Sequence, residues 1–286
     1  MKKTIYYLLF CALIFLLNAP ALAADNSENG DVIIAGELYK PGISEEEQSR
    51  GMADTRITEG LTENERQMVY FDSLTSMLAA LNAGRIDTAD LPKCTAEYLA
   101  AQNSHYEPVY TFADNKLTLK TSFRIGVMEG RSDLLNNLNS AIAALAEKGI
   151  LDELKTTYID DLLEGKEPPP VPPLVITDTP TVRVVVTGDL PPLDYVSADG
   201  KAAGYNIALL TALSDVMNVN FELVLSDAGS RAAMLTSGKA DAVFWMRNTD
   251  SFDSDGKLLK SYDETPEGIV LTDPYFADDQ IHVVLK

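Results

Sequence analysis

The chain is poor in the residues that carry demanding chemistry: its 286 residues include two cysteines, two histidines and one tryptophan. Cys11, Cys94, His105 and His282 are too few soft ligands for a zinc site of the usual kind. Basic residues are few, 23 Lys and Arg against 43 Asp and Glu, so the formal net charge is -20. A chain so acidic repels phosphate, which excludes nucleic acid and anionic membrane as partners. No Gly-x-Ser-x-Gly, P-loop or His-x-x-x-His is present, so the common signatures of serine hydrolases, nucleotide binders and zinc peptidases are missing. Asp253-Ser254-Asp255-Gly256 resembles part of a calcium loop, but Ser251 and Tyr262 stand where acids would be needed. No convergent acid and base pair can be read, so we expect no catalytic residues, no metal, no cofactor and no enzyme.

What is present begins with a separate object. Lys2 and Lys3 precede the apolar run Ile5–Leu17, followed by Asn18-Ala19-Pro20-Ala21-Leu22-Ala23-Ala24. This is the pattern of a secretory signal peptide over residues 1–23, with cleavage after Ala23. The rival, an uncleaved anchor, is disfavoured because the run has 13 residues, short of the ~20 that span a bilayer. Cys11 follows Phe10 inside the run, which does not fit a lipoprotein signal. Without this segment 21 basic residues face 43 acidic ones, a charge of -22, and Cys94 has no partner for an internal disulfide. A secreted chain with neither lipid nor disulfide is expected in a periplasm.

Along the remaining chain, hydrophobic content of 46% is enough to bury one or two cores. Strands are predicted at Val32–Ala35, Ile86–Leu91, Phe123–Met128, Val182–Thr187, Phe221–Leu225, Ala240–Trp245 and Ile281–Leu285. Between them lie helical patterns at 72–83, 95–102, 133–147, 151–163, 206–217 and 230–236. Alternation of this kind indicates an α/β fold with mainly parallel sheets. Residues 41–65 and 250–268 read as polar excursions without a period. Glu167-Pro168-Pro169-Pro170-Val171-Pro172-Pro173 can be neither helix nor central strand and reads as a stiff extended spacer.

One stretch echoes another. Leu81-Asn82-Ala83-Gly84-Arg85-Ile86-Asp87 matches Leu235-Thr236-Ser237-Gly238-Lys239-Ala240-Asp241. In both, an apolar helix ends at glycine and is followed by a basic residue, an apolar residue, Asp and a strand. Two similar α/β lobes follow from this, and clefts between lobes are where small ligands bind.

Here the sequence resembles a known family. Val182-Arg183-Val184-Val185-Val186-Thr187-Gly188-Asp189-Leu190-Pro191-Pro192-Leu193-Asp194-Tyr195 is similar to the opening strand and Pro-Pro loop of the extracellular solute-binding proteins of ABC importers, polar amino-acid type. Gly204-Tyr205-Asn206-Ile207-Ala208-Leu209, Ser237-Gly238-Lys239-Ala240-Asp241-Ala242-Val243 and Leu271-Thr272-Asp273-Pro274-Tyr275-Phe276 continue the likeness through that family's first lobe. The second lobe is resembled earlier in the chain, by Phe71-Asp72-Ser73-Leu74, Gly84-Arg85-Ile86-Asp87 and Ala96-Glu97-Tyr98-Leu99-Ala100. Phe123-Arg124-Ile125-Gly126-Val127 and the helices after it look like the elements that close the family's chain.

The resemblance implies a two-lobed periplasmic-binding-protein type II fold in circularly permuted order. The expected division is a second lobe at 31–118, the closing strand and helices of the first lobe at 119–164, a proline-rich linker at 165–180 and the first lobe at 181–286. Residues 24–286 without the linker number 247, enough for two lobes near the ~100–150-residue domain mode. The rival is a tandem fusion with each copy half lost, which would leave apolar lobe faces exposed. A permuted chain would keep one covalent crossover, near Lys120–Val127, and a looser hinge.

The resemblance also implies a function: capture of a small polar solute, an amino acid or related compound, by a monomer that presents it to an ABC importer permease. The alternative is a sensor or scaffold that has lost its solute and binds a protein partner. That family stacks its ligand on aromatics and pairs its charged ends with Arg and Asp. In this sequence the stacking positions fall on Leu190 and Ala228, small polar positions on Trp245, Met246 and Asn248, the Arg near Asp253, and the Asp on Pro92. The candidate ligand residues are therefore Asp189, Leu190, Trp245, Arg247, Asn248 and Asp90. Arg247 would supply the cation, Trp245 a stacking surface, and Asp90 lies two residues before Pro92 on the same strand face. Each has a plainer role open to it: core packing for Trp245, a surface cation for Arg247, a cap or solvated acid for Asp90 and Asp189.

Overall fold

A computed structural model describes residues 33–39, 66–110, 117–174, 178–263 and 265–286, at 66, 117, 245, 262 and 263 by the backbone alone. The signal-peptide reading of residues 1–23 and the polar stretch 41–65 lie outside the described residues. No helix among those described is long and apolar enough to cross a membrane.

Helices and strands alternate as expected of an α/β fold as far as residue 236, but the sheets are not mainly parallel: eight of the twelve strand pairs among the described residues are antiparallel, because antiparallel strands join the parallel core of each half. β1 (Ile33–Leu38), β2 (Arg66–Phe71), α1 (Leu74–Asn82), β3 (Thr88–Pro92), α2 (Lys93–Gln102) and β4 (Tyr106–Val109) come first. The long strand β5 (Leu117–Met128) leads into α3 (Ser132–Glu147) and α4 (Ile150–Lys155). From α4 the helix passes through a π-helical turn (Thr156–Asp160) into α5 (Asp161–Leu163). After the proline stretch come β6 (Thr181–Val186), β7 (Asp189–Leu190), β8 (Asp194–Val196), β9 (Ala202–Ala203), α6 (Tyr205–Met217), β10 (Asn220–Leu225) and α7 (Arg231–Thr236). The chain ends with β11 (Ala242–Asp253), β12 (Leu258–Asp263), β13 (Ile269–Leu271) and β14 (Phe276–Leu285).

Helix boundaries follow local chemistry. Ser73 accepts the Ser76 amide at 3.1 Å and so starts α1, whose buried stripe is Leu74, Met77, Ala80 and Leu81. In α3 the stripe Leu134, Leu138, Ala141, Ile142 and Leu145 is buried at helical spacing. The proline stretch has no regular structure, as its composition requires. It lies along α6, where the Thr211 hydroxyl donates to the Pro172 carbonyl at 3.2 Å, and Val171 packs on the core.

Strand pairing defines two lobes with one plan. On one side β2, β1 and β3 are parallel and β14 joins β3 antiparallel. On the other, β10, β6 and β11 are parallel and β5 joins β11 antiparallel. A short antiparallel strand completes each, β4 on β14 and β13 on β5. We call these the β1 lobe and the β6 lobe. The strands β5 and β14 pair with each other, Phe123 opposite Phe276 and Lys120 opposite Asp279, so one 11-stranded sheet runs through both lobes. One hydrophobic cluster also runs through both, from Met77 and Leu91 through Phe123 and Ile125 to Leu209 and Phe221. Burying a side chain such as Phe123 stabilises by about 1.5–3 kcal/mol.

The sequence echo has a shared physical role. Gly84 and Gly238 adopt left-handed φ of 64° and 71°, which closes their helices. Three residues later Asp87 accepts the Ile34 amide at 2.7 Å, and Asp241 accepts the Arg183 amide at 2.9 Å. Each Asp thus pins the first strand of its lobe. The Asp241 carboxylate also pairs with the Arg183 guanidinium at 3.0 Å.

The hinge differs from expectation. The chain crosses between lobes twice, outward from β4 along β5 and back along β14, whose last six residues, Gln280–Leu285, pair within the β1 lobe. The stretch at 250–268, read as an excursion, instead extends β11 and turns into β12. Arg247–Asp253 of β11 pairs with Phe123–Leu117 of β5, so a third strand lies along the crossing. The buried Thr121 hydroxyl sits 3.1 Å from that of Thr249 and 3.4 Å from Gln280 Oε1, tying all three strands. Two crossings and a bonded third strand stand where a single crossover and a looser hinge were expected. Polar runs, Lys120–Ser122 in β5 and Arg247–Ser251 in β11, hid the length of these strands from a hydrophobic reading.

Candidate functional site

The C-terminal end of β1 and the start of α1 meet the β6 lobe across a boundary bridged by hydrogen bonds. The Ala228 amide, at the end of the β10–α7 loop, donates to the Asp72 carbonyl at 2.9 Å. Glycine at 229 lets the two lobes approach closely there: a Cβ would lie 2.7 Å from Asp72 Oδ1, which would have to turn aside, and 3.4 Å from the Tyr39 ring. Tyr98 of α2 and Tyr195 of β8 approach with ring centroids 6.5 Å apart.

Arg247, the candidate cation, is 8% exposed and projects onto the β1 lobe, where Nη2 donates to Glu37 Oε1 at 2.5 Å. Glu37 is equally buried. A buried pair of this geometry is held by its partner charge, and removing either member strands the other. Beside it stands Arg231, 2% exposed, at the first residue of α7. Its guanidinium donates to the carbonyls of Ala228 at 3.0 Å, Phe244 at 3.4 Å and, across the boundary, Tyr39 at 3.3 Å. Burial pushes Arg231 down to about 10; the like charge of Arg247 adds to this and the carboxylates of Asp194 and Asp189 oppose it. It remains a cation at neutral pH.

Asp189 also reaches across. Its Oδ2 accepts the Leu74 amide at 2.9 Å, so it caps the N-terminus of α1 from the opposite lobe. Burial raises its carboxyl above the usual range, with the bond from Leu74 pulling the other way. The loop that carries it is fixed by Asp194, 1% exposed, whose carboxylate accepts from Thr187 Oγ1 (2.9 Å), the Gly188 amide (2.6 Å) and Asn206 Nδ2 (3.0 Å).

The other candidates sit elsewhere. Leu190 is fully buried in the core cluster. Asp90 is buried with its Oδ1 2.6 Å from His282 Nδ1, on neighbouring strands β3 and β14, opposite Glu37 of β1 in register. Asn248 stands opposite Ser122 in the β11–β5 ladder with a buried Oδ1 that has no partner among the described residues. Trp245 lies in β11, its side chain outside the described residues. The structure thus brings Asp189 and Arg247 to the boundary and pairs Asp90 within the β1 lobe. Among the described residues no group of three His, Cys, Asp or Glu could hold a metal ion. An open cavity of about 470 Å³ lies at the β11–β12 hairpin beside Lys120 and Asp279, lined by none of the candidates.

Glu37 and Arg231 were missed by the sequence reading. A signal existed for each: a lone acid in an otherwise apolar strand, Ile33–Leu38, and a lone cation before an apolar helix. A charge inside an apolar element needs a partner, and the partner marks a site.

Residues 182–280 match the family model of the bacterial extracellular solute-binding proteins, family 3. The resemblance read from the sequence holds for this stretch, which covers most of the β6 lobe and all of its boundary residues named above. No curated protein matches the chain. Among solved structures, the zinc-bound ligand-binding component of an ABC-type import system from Staphylococcus aureus aligns over 89% of this chain and 66% of its own, at 14% identity and TM-score 0.40. The periplasmic aliphatic sulphonate binding protein SsuA from Escherichia coli aligns over 89% and 65%, at 12% identity and TM-score 0.36. The chain spans just under two thirds of the length of each.

Proposed function

We propose that this chain is a periplasmic solute-binding protein that holds a small polar solute between its lobes and presents it to the permease of an ABC importer. The solute class is an amino acid or related compound with an anionic group. One observation carries the reading: within the segment that matches the family, Arg247 is a buried guanidinium aimed across the lobe boundary. Arg231 and the Leu74 amide at the start of α1 place further hydrogen-bond donors at the same boundary. The protein acts by closure and not by catalysis, since differential affinity for the closed arrangement is what a solute supplies. It works as a monomer.

The order of its parts is a circular permutation in this reading, with the proline stretch joining what were the family's two ends. Two findings support it: both lobes repeat one strand plan, and one hydrophobic cluster crosses the boundary, whereas half-lost tandem copies would leave apolar lobe faces uncovered.

A second reading, a sensor or scaffold without a solute, is favoured by a specific observation. Two donors at the boundary, Arg247 and the Leu74 amide, each bond a carboxylate of the opposite lobe. A thermal-shift panel of amino acids, dicarboxylates and small sulfonates on the secreted chain separates the two. The expected result is stabilisation by at least one solute, saturating with concentration. A flat response across the panel overturns the solute-binding reading.

A further inference from the structure

We propose that Glu37 is a tethered competitor for the solute: the Arg247 position takes a carboxylate, and in the solute-free chain Glu37 of the β1 lobe supplies it. The inference rests on the reading of the lobe boundary as the solute site. Glu37 and Arg247 are 210 residues apart in sequence and belong to different lobes, and both are buried. Arg231, fully buried at the same boundary, adds a second cation beside Arg247, with the carboxylates of Asp194 and Asp189 acting on it. Asp189 repeats the arrangement in reverse, a carboxylate of the β6 lobe on an α1 amide of the β1 lobe. The chain therefore draws itself shut with its own anions.

Two consequences follow. A solute must bring a carboxylate, or an anion of like shape, good enough to displace one held at zero translational cost. Solute-free protein occupies the closed arrangement, because opening separates Glu37 from Arg247 and leaves both charges to be rehydrated.

The test is chemical rescue. Glu37→Ala leaves Arg247 beside a vacated space the size of a small carboxylate. In sodium chloride its melting temperature should fall by about 10 °C, the loss expected when a buried charge is stranded. Sodium acetate at matched ionic strength should restore much of that loss, saturating on the order of 10 mM. Wild type should respond alike to both salts. Glu37→Gln fills the space and should show no preference for acetate. Equal responses of Glu37→Ala to acetate and chloride overturn the proposal, as does an acetate response of the same size in Glu37→Gln. If Glu37→Ala is recovered unfolded, Glu37→Ala with Arg247→Met decides. Removing both charges should restore a cooperative melt without acetate dependence, and failure to restore it overturns the proposal. A solute found for wild type while Glu37→Ala ignores acetate retains the solute-binding reading and removes the competitor. Acetate rescue with no solute in the panel does the reverse.

Discussion

Asp194 gives the sharpest stability forecast. Its buried carboxylate accepts three hydrogen bonds that hold residues 187–190, and so positions Asp189 for its bond to α1. Replacing it with Ala leaves the Gly188 amide and Asn206 Nδ2 without an acceptor, while the half-exposed Thr187 hydroxyl can turn to water. Each buried donor left unmade costs about 1–3 kcal/mol. The variant also no longer buries a charge, which returns part of that sum, so the expected loss is about 3 kcal/mol. For a domain of this size that is a fall in melting temperature of roughly 6–12 °C. Asp194→Asn behaves differently. Its amide oxygen keeps Thr187 and Gly188, and its NH2 would face Asn206 Nδ2. The Asn206 Oδ1 has no partner among the described residues, so turning that amide over supplies the missing acceptor. The expected loss is about 1 kcal/mol. Thermal melts followed by circular dichroism measure both. An Asn variant as unstable as the Ala variant would refute this reasoning, as would an Ala variant within 1 kcal/mol of wild type.

Three further outcomes follow from the structure. Gly229→Leu wedges the boundary against Asp72 and Tyr39, costs roughly 1–3 kcal/mol and enlarges the radius of gyration in solution scattering, whereas Gly229→Ala can be absorbed by a turn of the Asp72 side chain; an unchanged radius for the Leu variant contradicts this. Burial raises the Asp189 carboxyl, so its contribution to stability is complete below its usual value of 3.8 and is lost as pH rises through the raised folded value. Asp189→Asn should therefore gain on wild type as pH rises across that window, and a gain that shrinks with pH counts against the assignment. A chain rearranged to run 178–286, a short linker, then 31–163 should fold with near-native circular dichroism and a cooperative melt; an unfolded product contradicts the permutation.

Legibility in the sequence tracked burial. α1 and α3 could be read because each has a stripe at helical spacing, α6 because its largely apolar run is too long for a strand, and β6 because Val182–Val186 is mostly β-branched. β5, β11 and β14 were read short because their ends at the crossing carry Thr118, Lys120, Thr249, Asp250, Asp278 and Asp279. Ladder pairing with neighbouring strands, and not side-chain hydrophobicity, keeps those ends in the sheet. The echo around Gly84 and Gly238 was legible because a left-handed cap and a strand-pinning Asp demand those residue types. The boundary was only half legible. Arg247 was visible as a cation near a matched strand end, but its partner Glu37 lies in the other lobe, and no local pattern connects residues 210 apart. Asp90 was assigned by analogy to a ligand position, while the histidine that bonds it, His282, comes from the last strand of the chain.

Calorimetric titration of wild type and Arg247→Gln with the solute that stabilises most in the panel tests the central claim most directly. The account predicts a measurable heat with one site per chain for wild type, and at least about tenfold weaker binding once the guanidinium is gone, the loss of one charge-assisted contact. Equal affinity in the two proteins, or no heat from any stabilising solute, would contradict it.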